Sequence, residues 1–453
     1  MTPSSLLQDR RSFLVNSTVA ATTAVSGNRI LGANERIRMG FIGIGNRGSQ
    51  LLELFMSNPD VEVAALCDIY EPYLQRDRSK VDPRYLESLS NLVPKMGEAF
   101  PKPPARYKDF RKLLEQKDID AVCIATPDHW HAIQTLQACE AGKDIYVEKP
   151  LTATIHEGRA MVEAAARSKR VVQVGLNRRG SSVYQELANL IPKGLIGKAV
   201  YARAARVSNM YPNGIGRLKP EAPPAGFDWD VWLGPRAFRP YQYNLTPYFF
   251  RWWKDYSTQM GNWGVHYLDA IRWLMGEKAP IAITALGGKY VLQDDRTIPD
   301  TMEVLYEFAS GAMVSFSIHE GCGGPVVSAG EVELHGTQAY LTVDRRGYAI
   351  GPAGAGQFQN KQSGAKKETK NLPAAEDETG RLIRNFLDCL KSRQKGWCDL
   401  EEGHRSTCFA HLANIALEMK TRLEWDPVKE RFTNNDKANQ YLHYEYRKPW
   451  KLV

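Results

Sequence analysis

Between Ile37 and Ser49 the chain reads Ile-Arg-Met-Gly-Phe-Ile-Gly-Ile-Gly-Asn-Arg-Gly-Ser, and this stretch constrains the fold more than any other. Met39, Phe41 and Ile42 form a short apolar strand pattern. Gly43, Gly45 and Gly48 then fall at G-x-G-x-x-G spacing before an apolar helix pattern, Leu51 to Met56. Gly43 permits the tight turn, Gly45 lets a pyrophosphate approach the backbone, and Gly48 lets the helix pack closely on the strand. The helix N-terminus then faces the phosphates, because its first amide groups have no partner within the helix.

Three glycines at this spacing carry little by themselves in a chain with 36 of them. The context adds weight. A second strand pattern, Val61 to Cys67, ends at Asp68, 20 residues after Gly48. An acidic residue there accepts from a ribose 2'-hydroxyl and repels a 2'-phosphate, which favours NAD and disfavours NADP. Further strand patterns at Ile119–Thr126, Asp144–Val147 and Val171–Gly175 alternate with helix patterns at Tyr107–Leu114, His131–Ala141 and Ile155–Ser168. This alternation predicts a doubly wound parallel sheet of five strands, an α/β fold with its ligands at the carboxyl ends of the strands. Asp68, the stretch Thr126–His131 and the stretch Glu148–Pro150 stand at those ends.

From about Asn177 the pattern changes. A helix to Leu190, strands at Ala199–Val207, Ile281–Leu286, Met302–Phe308, Ala312–His319, Glu331–His335 and Ala339–Asp344, and a helix Asn262–Met275 predict an α+β domain on one large sheet. Residues 351–375, rich in Gly, Gln, Lys and Ala, read as a loop, and helices follow at Glu378–Arg393 and His404–Arg422. The expected division is a leader over 1–34, a dinucleotide-binding domain over 35–176 and a substrate and oligomerisation domain over 177–453.

At 453 residues the chain is too long for one ordinary core. The net charge of +8 is spread along it without a basic block or nucleic-acid motif, so no nucleic-acid partner is expected. No run of about 18 apolar residues offers a transmembrane span. Seven cysteines without a C-x-x-C pair argue against a disulfide framework or a zinc site. His129 and His131 form an H-x-H pair, yet no third and fourth ligand accompanies them, so no metal is expected. Asp9-Arg10-Arg11-Ser12-Phe13-Leu14, followed by an Ala/Thr/Val stretch, resembles a twin-arginine export signal and predicts a periplasmic or extracytoplasmic protein, with a cytoplasmic one as the alternative.

Beside the glycine fingerprint, Thr126-Pro127-Asp128-His129-Trp130-His131, Ala141-Gly142-Lys143 leading to Glu148-Lys149-Pro150, Gly194-Leu195-Ile196-Gly197-Lys198 and the run Gly261–Asp269 resemble the Gfo/Idh/MocA family of oxidoreductases. The resemblance implies an N-terminal Rossmann domain and a C-terminal α+β domain with a large, mostly antiparallel sheet. It implies a cofactor-binding set of Gly43, Gly45, Asn46, Arg47, Gly48, Asp68, Thr126, Pro127, His131, Glu148 and Lys149, with Pro127 and His131 against the nicotinamide ribose. It also implies a homo-oligomer built through the open face of the second sheet.

Lys149 follows a strand and precedes a proline, so it points into the crevice where partial desolvation lowers an amine's pKa toward acid/base work. His266 is the second proton-handling candidate. The family's D-x-x-x-H spacing here reads Asn262-Trp263-Gly264-Val265-His266, and residues four apart share a helix face. Asn262 can orient a hydroxyl but cannot stabilise an imidazolium as aspartate would, which leaves Asp269 to compensate or Lys149 to act as the base. Asn177 and Arg178 are candidate substrate contacts. The aromatic cluster around Trp253 and Tyr256 suits either a sugar wall or a core.

The expected activity is hydride transfer between a sugar, cyclitol or glycoside hydroxyl carbon and NAD, with Lys149, His266 and Asn262 as the catalytic set. One alternative is an NAD-dependent glycosidase working by transient oxidation and elimination. An alternative of another class is a non-catalytic sensor that binds dinucleotide or sugar.

Overall fold

Strand β1 (Ile37–Ile42) sits at the centre of a parallel sheet with β2 (Val61–Cys67), β3 (Ala105–Tyr107), β4 (Ala121–Ile124), β5 (Asp144–Val147) and β6 (Val172–Val174), in the order β3-β2-β1-β4-β5-β6. This computed structural model describes residues 36–357, 367–373 and 376–452; the Arg10–Arg11 motif lies outside them. β1 pairs with β2 on one side and β4 on the other, so the strand order reverses there and opens a crevice at the carboxyl ends. The inner strands β4 and β5 are buried on both faces throughout, as their continuous apolar runs require.

The sheet has six strands, one more than the sequence pattern predicts. The extra strand is the edge strand β3. Its three residues, Ala-Arg-Tyr, are too few and too polar to show a period, and pairing of Ala65 to Cys67 with Ala105 to Tyr107 selects it.

Helices α1 (Asn46–Met56), α2 (Asp128–Glu140) and α3 (Ile155–Ser168) connect these strands. A capping box starts α3, where Thr154 accepts from the Glu157 amide and Glu157 accepts from the Thr154 amide.

Among the described residues the second sheet has ten strands. These are β7 (Ala199–Val207), β8 (Ala282–Gly288), β9 (Thr301–Glu307), β10 (Met313–His319), β11 (Val332–Gly336), β12 (Ala339–Asp344), β13 (Gly347–Pro352), β14 (Glu368–Asn371), β15 (Leu423–Asp426) and β16 (Arg431–Phe432). Their order is β14-β13-β12-β11-β7-β10-β9-β8-β15-β16, and only β7 and β10 run parallel. Strict alternation shows in β9, where Met302, Val304 and Tyr306 are buried and Glu303 and Leu305 are exposed. The buried face packs on α4 (Ser182–Leu190), α5 (Val265–Met275) and α7 (Leu400–Met419) through Leu187, Leu268, Ile271, Phe409 and Leu412. The sequence reading placed a loop over 351–375, but Glu368–Asn371 pairs with β13 as an edge strand whose polar side chains hide its β character.

The chain then returns to the first sheet. Helix α6 (Glu378–Ser392) inserts Leu382, Ile383, Phe386 and Leu387 against Phe41, Phe55 and Tyr146. The amide of Val174 on β6 donates to the Cys398 carbonyl. The amino half of α7 is tied to α3 through Glu430, which accepts from Arg159 and His404.

Candidate active site

The turn after β1 has the geometry its glycines require. Gly43 lies at φ +81°, in the region that favours glycine, and a Cβ there would stand 2.9 Å from the Thr126 backbone. At Gly48 a Cβ would lie 1.9 Å from the Gly43 carbonyl oxygen, so only glycine lets α1 close on the turn. Gly45 differs: a Cβ there would meet only the Tyr73 ring, at 3.6 Å, and otherwise the open crevice. Among the described residues no side chain caps the first turn of α1, whose amides stay available to an anion. Asp68 steadies this turn by accepting from the Ile44 amide at 2.8 Å and the Tyr70 amide at 2.9 Å. Burial raises its pKa, and those two amides pull the other way.

The crevice has a volume of about 380 Å³. Gly43, Gly45, Asn46, Arg47, Asp68, Thr126 and Pro127 line it, together with a loop from the second half of the chain that brings Thr246, Pro247, Tyr248, Phe250 and Arg251 across the opening. The anion-ready helix start, the glycine cradle and the acid at the end of β2 fit a dinucleotide.

Glu148 is buried 4% exposed and accepts from Arg47 Nε at 2.8 Å, which holds that guanidinium beside the start of α1. Burial opposes the Arg47 charge, but Glu148, with Tyr146 and Cys123, raises its pKa overall. His131 is turned away from the crevice. Its two ring nitrogens meet the Pro150 carbonyl at 2.9 Å and the Thr126 carbonyl at 2.8 Å, so it braces the two strand-end loops against each other. His129 likewise meets the Trp232 carbonyl, at 2.8 Å.

Lys149 and Asn262 meet. Lys149 Nζ donates to the Asn262 carbonyl at 2.7 Å and to its Oδ1 at 3.3 Å. Asn262 Oδ1 also accepts from Arg251 Nε at 3.2 Å, and its Nδ2 donates to Gln259 Oε1 at 3.1 Å, which fixes the amide. The expected helix from Asn262 begins instead as a π turn, Met260–Gly264, that leads into α5. Such turns recur at functional sites. Gly261 gives it room, since a Cβ there would already touch Pro150 at 3.2 Å.

Desolvation lowers the Lys149 pKa to about 8; Arg251 and Arg47 push the same way, while Glu148 and Asp128 resist. His266 is pushed well below its ordinary value, first by burial and then by Lys149, Arg178, Arg47 and Arg345. Among the described residues its Nδ1 is buried without a partner, and so is Oδ1 of Asn177, which follows β6.

Asp269 does not compensate for Asn262. It is committed elsewhere, pairing with Arg179 at 2.7 Å and accepting from Ser406. Arg178 is committed to Glu331 at 2.7 Å and lies over the Tyr267 ring. Trp253 donates to the Asn244 carbonyl under the Arg239 guanidinium, and Tyr256 packs on Trp232 and His129. Both rings belong to an aromatic core rather than to the crevice lining. From this region Phe227, Trp232, Tyr248, Phe250 and Arg251 line the crevice, and periodicity could not separate them from their neighbours. Trp450, which no pattern in the sequence singles out, also lines the crevice.

Curated relatives include a glycosyl hydrolase family 109 protein of Shewanella pealeana, 31% identical over 180 residues that make up 39% of this chain and 36% of that one. An alpha-N-acetylgalactosaminidase of Shewanella oneidensis is 29% identical over 203 residues, 43% of this chain and 41% of that one. The matched stretch thus spans less than half the length of these relatives. Among solved structures, levoglucosan dehydrogenase in complex with NADH and levoglucosan superposes with a TM-score of 0.63 at 17% identity, over 86% of this chain and 99% of that one. The aldose-aldose oxidoreductase of Caulobacter crescentus complexed with glycerol gives 0.58 at 16% identity, with the same coverage. At these identities the structures establish a shared fold. Residues 37–176 match the oxidoreductase family's NAD-binding Rossmann fold and residues 182–452 its C-terminal alpha/beta domain, so the chain belongs to the Gfo/Idh/MocA family of NAD-binding oxidoreductases.

Proposed function

We propose that this protein oxidises a hydroxyl-bearing carbon of a sugar, cyclitol or glycoside, with Lys149 Nζ as the proton acceptor. The carrying observation is the state of that amine. It is desolvated to a pKa of about 8, held by an amide that adds no charge, and among the described residues has no carboxylate at ion-pair distance. NAD, when bound, supplies the acceptor for the hydride that leaves the carbon. NAD is favoured over NADP because Asp68 adds negative charge at the ribose end, and Arg76, which faces it, is already paired with Glu98.

A base with a pKa near the working pH is the more effective proton acceptor, which selects Lys149 over His266. Held neutral, His266 serves as a hydrogen-bond partner through its free Nδ1, and Asn177 Oδ1 offers an acceptor to a second hydroxyl. Asn262 keeps Nζ in place.

The names of the curated relatives favour a second reading, a glycosidase with no net oxidation. Oxidising a ring hydroxyl to a ketone acidifies the neighbouring C–H. Lys149 or His266 then moves that proton, the aglycone leaves, water adds, and the ketone is reduced again.

A panel of sugars and aryl glycosides separates the readings. Cleavage without added NAD supports the glycosidase, and turnover that consumes added NAD supports the dehydrogenase. In either case K149A is expected to lower kcat by roughly 100-fold or more while NAD still binds. A K149A variant with full turnover would remove Lys149 from the mechanism, and NAD binding without turnover on any sugar would favour a binding-only role.

A further inference from the structure

Every residue that the preceding sections place against the dinucleotide belongs to a strand end, to α1 or to the loop over residues 246–251. One wall of the crevice has a different origin. Trp450 lines it beside Lys108, Asp109, Phe110, Arg111 and Trp130, although it lies more than 300 residues further along the chain.

The position of this wall identifies the part of the dinucleotide it faces. Lys108 to Arg111 follow β3, and β3 is the neighbour of β2, whose end carries Asp68; the Asp68 amide donates to the Tyr107 carbonyl at 3.3 Å. An acid in that position takes the ribose of the adenosine half. Lys149, past the end of β5, and Asn262, which bonds to it, serve the reacting half across the switch point. We propose that Trp450, set against Trp130, closes the adenine end of the crevice and slows the departure of NAD.

The two indoles meet edge to face, with ring centroids 4.7 Å apart and planes at 82°. Trp130 is fixed, because its Nε1 donates to the Val231 and Trp232 carbonyls, each at 3.1 Å. Gly234 leaves room for it, since a Cβ there would stand 2.5 Å from the Trp130 ring. Arg111 lies over the Trp450 ring at 5.5 Å.

The segment that carries Trp450 is anchored at each step. Arg447 donates to the Gly234 carbonyl at 3.1 Å and pairs with Asp230 at 2.5 Å, and its amide donates to the Pro235 carbonyl at 2.8 Å. Tyr446 donates to the buried Glu157 at 2.5 Å, and Arg236 covers the Tyr444 ring at 3.7 Å. Trp450 is therefore held in place by contacts of its own segment, and it is half-buried and lines the crevice. A wall of two touching indoles and a guanidinium offers apolar and cationic surface to a flat heteroaromatic base, and adenine is the base at this end of a dinucleotide.

This inference bears on the glycosidase reading, in which the same NAD must survive many turnovers. The test uses the full chain as wild type, W450A, W450F and W450L. NAD affinity is measured by calorimetry on cofactor-stripped protein, release is measured after dilution, and circular dichroism reports folding. W450A is expected to bind NAD about tenfold more weakly, the loss of one base–aromatic stack, mostly through faster release. W450F should stay near wild type because it keeps a ring, and W450L should follow W450A. Should W450A lose its native spectrum, W450L, which keeps apolar volume without a stacking face, decides the matter. Folded W450A or W450L that binds and releases NAD like wild type overturns the proposal, as does W450F behaving like W450A. A wild type that loses NAD readily would count against the resident cofactor and leave the comparison of variants intact.

Discussion

Lys149 and Asn262 set the pH behaviour expected of the site. With a pKa brought down to about 8, Lys149 is mostly protonated at pH 7 and becomes a base as pH rises, so kcat/KM should climb through an acidic limb near that value. N262D places a carboxylate where the amide oxygen now lies, 3.3 Å from Nζ. Negative charge favours the ammonium, so the limb should move upward by about one to three units and activity at pH 7 should fall. A limb that stays in place or moves down would contradict the assignment of Lys149 as base. The position of Lys149 just past the end of β5 was legible from the strand pattern and the proline that follows it. The commitments of Arg178 to Glu331 and of Asp269 to Arg179 were not, because each partner comes from a distant segment that sequence spacing does not report.

At the scale of elements, the strand–turn–helix at β1 and α1 separates two roles that the glycine pattern alone runs together. Gly48 is closed by protein, with the Gly43 carbonyl 1.9 Å from a would-be Cβ, whereas Gly45 faces open crevice. G48A is therefore expected to cost about 2–3 kcal/mol of stability as well as NAD affinity. G45A should keep stability within about 0.5 kcal/mol and lose NAD affinity selectively. Urea unfolding and NAD titration on the same samples check both, and equal destabilisation by the two would show that the crevice reading of Gly45 is wrong. The regular elements of the first sheet were legible because buried parallel strands leave unbroken apolar runs. The edge strands β3 and β14 were hidden because neither shows a period. The π turn at Met260–Gly264 was hidden too, since its sequence also suits an α-helix.

Across the whole molecule, the first sheet is completed by a helix from the far end of the chain. Phe386 on α6 is fully buried and packs edge to face on Phe55 and Tyr146, with centroids 6.3 and 5.8 Å apart. F386A is expected to cost about 3–5 kcal/mol and to weaken NAD binding, since Phe55 lies on α1. Retention of wild-type stability would mean that α6 adds little to the dinucleotide-binding core. No periodicity in the sequence reveals such a return, because apolar spacing shows which face of a helix is buried and not against what. The most direct test of the account is the absorbance spectrum and denaturation-released dinucleotide content of the purified protein, followed by addition of a glycoside. The account predicts bound NAD, or a site that takes up added NAD, and a reduced-nicotinamide band that appears with substrate in wild type and not in K149A. Failure to bind any dinucleotide, or a band that forms equally in K149A, would contradict it.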